Sequence, residues 1–193
     1  MSPIFLLLLS ILFLSSPTTT TADIVLDFEG DPLVAGSYYF AMPIAIQKGG
    51  GLTMFNNGSV SCPSFIVARS TKGDMDFGIP IRFSPQTHAQ NKNIYLSSST
   101  NIAFKYLSPQ PLCRRLYTTV WTVSETAVVL DGEEGSDGSW FKLEEYGDQL
   151  TGGYKILYGD KTVLYDQQGY GEILLGFEKG NPLLVVFVKA WST

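Results

Sequence analysis

The sequence is poor in residues that do chemistry. Histidine occurs once in 193 residues, at His88. Any Ser-His-Asp or Cys-His arrangement would have to pass through that one imidazole. It lies in a polar stretch, Ser84-Pro85-Gln86-Thr87-His88-Ala89-Gln90-Asn91-Lys92-Asn93, between two β-type runs, where a lone histidine reads as solvated. Cysteine occurs twice, at Cys62 and Cys113, and two thiols with one distant histidine make a poor zinc site. No GxSxG elbow, phosphate-cradling glycine loop or metal motif is present. Asp131, Glu133, Glu134 and Asp137 cluster around two glycines. A calcium loop needs a fuller ligand pattern, so this patch reads as a solvated turn. The expectation is a chain that is not an enzyme and takes no cofactor and no metal.

Long apolar runs are missing as well. The longest near the start, Phe5–Leu14, has ten residues, against about 20 for a bilayer-spanning helix. Small polar residues follow, with Thr20 and Ala22 at a cleavage-like site. Residues 1–22 therefore read as a secretory signal peptide, although no basic residue stands near Met1. Removing 22 of 193 residues leaves 171, the size of one domain, 23–193. Basic residues are outnumbered, 13 to 18. The net charge of −5 argues against nucleic acid as a partner, and no membrane partner is indicated. In a secreted chain the even cysteine count reads as one disulfide, the alternative being two free thiols. Such a bridge closes about 50 residues, worth about 4 kcal/mol in the chain-entropy model. Asn57-Gly58-Ser59 is an N-glycosylation sequon in a glycine-rich loop.

Helical periodicity is the last absence. Proline or glycine interrupts nearly every window of twelve residues. What is there instead is a succession of short apolar-aromatic runs about every ten residues. They include Ser64–Ala68, Ile79–Phe83, Ile94–Leu96, Ile102–Tyr106, Val120–Val123, Ala127–Leu130 and Trp140–Glu144. Tyr154–Tyr158, Val163–Tyr165, Glu172–Phe177 and Leu183–Lys189 follow, the last reading as a central strand. Glycine, proline, asparagine and serine punctuate them, which is the pattern of an all-β closed or sandwiched fold. Asp23–Ile44 opens the domain as strand, turn, loop, strand. Its Gly30-Asp31-Pro32-Leu33 and Gly36 return as Gly147-Asp148-Gln149-Leu150 and Gly153, 117 residues later. Half that offset is about a third of the mature chain, which points to repeated units sharing one core; the middle copy, expected near His88, is not visible. Without catalytic groups, the loops on this scaffold become the working parts.

The residues in order resemble a known family. Val25-Leu26-Asp27, Gly30, Pro32-Leu33, Gly36 and Tyr38-Tyr39 form an N-terminal signature, followed by Ser61-Cys62-Pro63. Gly78-Ile79-Pro80-Ile81-Arg82-Phe83-Ser84-Pro85, Asn101-Ile102-Ala103-Phe104, Cys113 and Trp121-Thr122-Val123 come next. Trp140-Phe141-Lys142-Leu143, Tyr154-Lys155-Ile156 and Pro182-Leu183-Leu184-Val185-Val186-Phe187 complete the series. The chain resembles the plant Kunitz-type, soybean-trypsin-inhibitor-like protease inhibitors, miraculin-like members included, over effectively all of Asp23–Lys189.

The resemblance implies a β-trefoil of about twelve short strands in three pseudo-repeats and a Cys62–Cys113 disulfide. It implies a secreted or vacuolar monomer that binds a protease through a substrate-like reactive loop: Ser84, Pro85, Gln86, Thr87, His88 and Ala89, with Gln86, Thr87 and His88 nearest the protease's primary pocket. A serine protease is the expected partner; a cysteine or aspartic protease would engage another loop. Three departures bear on this. Trypsin-directed members place Arg or Lys where this chain has Gln86-Thr87, so trypsin should be bound weakly or not at all. Ala35 stands where family inhibitors often carry an asparagine that braces the loop, and a methyl group cannot donate to loop carbonyls. Gly159 replaces the first cysteine of a second disulfide, so the segment from Gly159 to Gly169 should be looser. The alternative function is a non-inhibitory miraculin-like, storage or defence binding protein on the same scaffold.

Overall fold

The computed structural model describes residues 23–44, 49–56, 65–70, 76–87, 91–105, 118–147, 152–166 and 173–191. Six strands in it close on themselves. β1 (Tyr38–Pro43), β4 (Ile81–Pro85), β5 (Thr100–Phe104), β8 (Phe141–Tyr146), β9 (Gly153–Tyr158) and β14 (Leu184–Lys189) pair antiparallel in that order, and β14 returns to β1. The contacts alternate in length. β1–β14, β4–β5 and β8–β9 run for five, five and six residue pairs. β1–β4, β9–β14 and β5–β8 run for only two, two and one.

Three hairpins cap this barrel. They are β2 (Gly49–Phe55) with β3 (Phe65–Ser70), β6 (Thr122–Ser124) with β7 (Ala127–Val129), and β11 (Leu164–Asp166) with β12 (Ile173–Gly176). β3, β7 and β12 pair with one another and tie the hairpins into a triangle. Each third of the chain thus runs barrel strand, hairpin, barrel strand. This is the β-trefoil in its three pseudo-repeats. Fourteen strands are present among the described residues, and the two-residue β10 (Lys161–Thr162) and β13 (Asn181–Pro182) account for the excess over twelve. The only helical turn among the described residues is a 3-10 turn at Asp137–Ser139.

Period-two alternation fills the barrel. On β1, Tyr39 and Ala41 are buried while Tyr38, Phe40 and Met42 are half-buried. Ile81 and Phe83, Phe141 and Leu143, and Val185 and Phe187 repeat the pattern on their strands and are fully buried, each contributing about 1.5–3 kcal/mol. Phe83 meets Phe187 edge-on at 5.2 Å, and Trp121 meets Phe141 edge-on at 6.1 Å. β5 breaks the rule, with all five residues buried. Its outer side is covered by the 118–121 and 131–139 segments, as the Ala103–Val120 bridge and the Asn101–Ser139 hydrogen bond show.

The internal echo has a structural basis. Gly30 and Gly147 both sit at φ +88° in turns leading to the first strands of units one and three, a conformation that favours glycine. In unit two the described residues with positive φ ahead of β5 are Lys92 at +58° and Ser97 at +57°. Neither is a glycine, so the middle unit carries no matching glycine signal in the sequence.

Three features differ from the sequence reading. β2 is absent from the apolar-aromatic runs of the sequence, since it opens on Gly49-Gly50-Gly51. Gly51 is needed because a Cβ there would lie 1.8 Å from the Phe77 carbonyl oxygen. Ile94–Leu96 is no ladder strand; its neighbours Asn93 and Tyr95 form single bridges to Val34 and Ile24. Residues 159–166 are also well tied. Lys161 and Thr162 pair with Tyr158 and Leu157, Val163 donates to Ile156 O at 2.8 Å, and Val163 is fully buried. Backbone ladders hold this stretch where a second disulfide was missed, while 167–169 lie outside the described residues.

Candidate functional site

The stretch expected from the sequence as the reactive loop begins on β4. Ser84 and Pro85 are the last two residues of β4 and pair with Asn101 and Thr100. The loop therefore leaves the barrel after Pro85, not at Ser84. Proline has no N–H to continue the ladder, and the next donor does so instead: Gln86 N donates to Ser99 O at 2.9 Å. Gln86 and Thr87 are exposed beyond this closure. His88 and Ala89 lie outside the described residues, as do Asn57, Cys62 and Cys113.

The returning limb is pinned to the N-terminal segment. Ala35 N donates to Lys92 O at 2.8 Å, Val25 N to Ile94 O at 2.9 Å, and Ile94 N to Leu33 O at 2.9 Å. Leu96 N donates to Asp23 O at 2.8 Å. Within the limb, Asn91 Nδ2 donates to Tyr95 Oη at 2.7 Å. Ala35 thus fastens the limb through its backbone, and its methyl reaches no loop carbonyl as a donor.

A second fastening was not legible in the sequence. Arg82 Nη2 lies 2.8 Å from Glu134 Oε1, and Arg82 Nη1 donates to Ser84 Oγ at 3.1 Å. Ser84 Oγ in turn donates to Glu134 Oε1 at 3.1 Å. Glu134, read from sequence as part of a solvated turn, is partly exposed yet tied to the loop's departing strand. Its turn is placed by Asn101, which is 2% exposed. Asn101 Nδ2 donates to Ser139 O at 2.7 Å, and its Oδ1 accepts from Gly135 N at 3.0 Å. The signal available was only a buried-type asparagine on an apolar strand opposite Ser84.

Among the described residues no cluster of three or more His, Cys, Asp or Glu could hold a metal ion. Among the described residues, the exposed Gln86 and the exposed Thr87 follow an anchored limb, and a second anchored limb returns from Asn91.

The family model for trypsin and protease inhibitors of the legume Kunitz type matches residues 25–189. The chain belongs to the Kunitz family. A Kunitz trypsin inhibitor from Arabidopsis thaliana is 30% identical, with 93% of this chain and 83% of the relative covered. Miraculin of Synsepalum dulcificum is 29% identical over 78% of this chain and 77% of its own. Among solved structures, the soybean trypsin inhibitor in its complex with porcine pancreatic trypsin superposes with a TM-score of 0.72 at 26% identity, covering 86% of this chain and 99% of that one. The sequence relatives of this Kunitz chain include one named as an inhibitor and one that is not.

Proposed function

We propose that this protein is a secreted Kunitz-type inhibitor that binds a protease in a substrate-like manner through the β4–β5 loop, without catalysis and without a cofactor. In this reading residues 1–22 are a cleaved leader, 23–193 is the mature domain, and Cys62–Cys113 is its disulfide. The observation that carries the reading is the double fastening of the loop. One limb is held by Gln86–Ser99 and the Arg82–Ser84–Glu134 contacts, the other by backbone hydrogen bonds from Val25 N to Ile94 O, from Ala35 N to Lys92 O and from Ile94 N to Leu33 O. A loop fixed before binding gives up less entropy in the protease cleft.

Target choice follows from side-chain chemistry. Gln86 and Thr87 carry no charge to pair with the buried carboxylate of a trypsin pocket, so the partner is a serine protease with an uncharged pocket. A panel of purified proteases incubated with the mature protein tests this. A stoichiometric, slowly dissociating complex with a non-trypsin serine protease is the expected result. Digestion of the protein by every member of the panel would overturn it.

The second reading, a non-inhibitory miraculin-like or storage protein, is favoured by one observation. Ala35 offers the loop a backbone donor and no side-chain one. An inert response to the whole panel with the fold intact supports that reading.

A further inference from the structure

Away from the β4–β5 loop, a cleft of about 460 Å³ opens between the N-terminal segment 26–30, the end of β8, the start of β9, and β14. That volume is in the range of small-molecule sites. Its apolar wall is aromatic. Phe28 is 72% exposed, and Tyr154 stacks on Phe187 with ring centroids 5.7 Å apart and planes 24° from parallel. Among the described residues its charged lining has one sign: Asp27, Glu29 and Glu145 contribute carboxylates, and no Lys, Arg or His is present.

Asp27 is the informative member. It is 8% exposed. Its Oδ1 accepts from the Glu29 and Asp31 N–H groups at 3.0 Å each, which shapes the turn at Gly30. Its Oδ2 is buried with no hydrogen-bond partner. The turn needs only one of the two oxygens, and a buried carboxylate oxygen without a donor is costly. Burial raises the Tyr154 phenol above its ordinary range, Leu26 N–H opposes that, and the Glu145 and Asp27 charges reinforce it. Three carboxylates among the described lining residues, with no basic side chain among them, give the cleft a negative character.

We infer that this cleft binds an organic cation: an ammonium or guanidinium group facing the Asp27 and Glu145 carboxylates, with an apolar body against Phe28 and Tyr154. A bare metal ion fits less well, because no three metal-ligating side chains converge among the described residues. An aryl-alkyl amine satisfies both walls at once, through a charge-assisted hydrogen bond and aromatic contact. The site uses no residue of the β4–β5 loop, so it stands apart from the inhibitor reading.

The test is calorimetric titration of the full protein with 2-phenylethylamine and, separately, with 2-phenylethanol, its uncharged counterpart. The amine should saturate and the alcohol should bind at least about tenfold more weakly. Asp27→Asn keeps an acceptor at Oδ1 for the turn and removes the charge; it should lose about tenfold or more for the amine and leave the alcohol unchanged. Glu145→Gln, at an exposed position, should weaken the amine by a smaller factor in the same direction. Circular dichroism reports whether Asp27→Asn folds; if it does not, the amine-to-alcohol ratio of the unaltered protein and Glu145→Gln decide. Equal affinity for amine and alcohol overturns the inference. So does unchanged amine binding by a folded Asp27→Asn, or the absence of binding at about 10 mM amine.

Discussion

Asn101→Ala should be among the most damaging single substitutions that removes no apolar side chain. The asparagine is 2% exposed and bonds both ends of the 135–139 turn. Alanine strands two groups unequally. Ser139 is fully buried, so its carbonyl loses its donor with no solvent to replace it, a cost of about 1–3 kcal/mol. Gly135 is exposed, so its N–H finds water and the loss there is about 0.5–1 kcal/mol. Together they amount to about 2–4 kcal/mol, or roughly 5–15 °C in Tm for a domain of this size. Glu134→Gln is the contrast. It breaks an ion pair whose side chains are 33% and 43% exposed, and such pairs contribute about 0–1 kcal/mol. Urea unfolding followed by fluorescence, with m held equal, measures both. An Asn101→Ala protein within about 0.5 kcal/mol of the parent would refute the reasoning, because it would mean that Ser139 O finds another donor.

Other outcomes are open to measurement. Thr87→Arg should raise trypsin affinity by at least about tenfold; no gain would place the defect in loop bracing at Ala35 instead of in the pocket residue. Gly51→Ala should destabilise by about 3 kcal/mol or more, because its Cβ would meet backbone 1.8 Å away and cannot push a side chain aside; a soluble variant with an unchanged thermal midpoint would contradict the close approach. The raised Tyr154 phenol stabilises the fold fully below its unfolded value near 10.0, and that contribution disappears as pH climbs through the higher folded value. Alkaline unfolding of Tyr154→Phe should accordingly show a shallower loss of stability above pH 10 than the parent, and parallel curves would exclude the linkage. Thiol titration of the unfolded, unreduced mature protein should find essentially no free sulfhydryl, and two reactive thiols would rule out the bridge.

The barrel was largely legible because its strands announce themselves in their hydropathy. Ile81-Arg82-Phe83 and Phe141-Lys142-Leu143 alternate, Leu184–Val188 is continuously apolar, and all three stretches lie on barrel strands. β2 was not legible, since its glycines serve packing against Phe77 and Gly78, a contact between backbones that no hydropathy pattern records. The middle repeat was hidden because the residues with positive φ ahead of β5, Lys92 and Ser97, are not glycines. At the candidate site, the sequence points to Ser84–Ala89, of which Ser84 and Pro85 prove to be the end of β4 and Gln86 and Thr87 are exposed. It could not foresee Glu134, fifty residues on from Ser84, since only the barrel closure brings that acidic turn beside β4. Asp27 was quoted as part of a signature, but its unsatisfied oxygen depends on which neighbours the turn supplies.

The last barrel strand has a bearing on biogenesis. β14 is the stave inserted between β9 and β1, matching five residues of the first unit and two of the third. Until residues 184–189 leave the ribosome, a growing chain holds two raw sheet edges and no sealed interior. Acquisition of structure should therefore be deferred almost to the end of synthesis, and a stop codon ahead of Leu184 should give an insoluble product where a few residues lost after Lys189 would be tolerated.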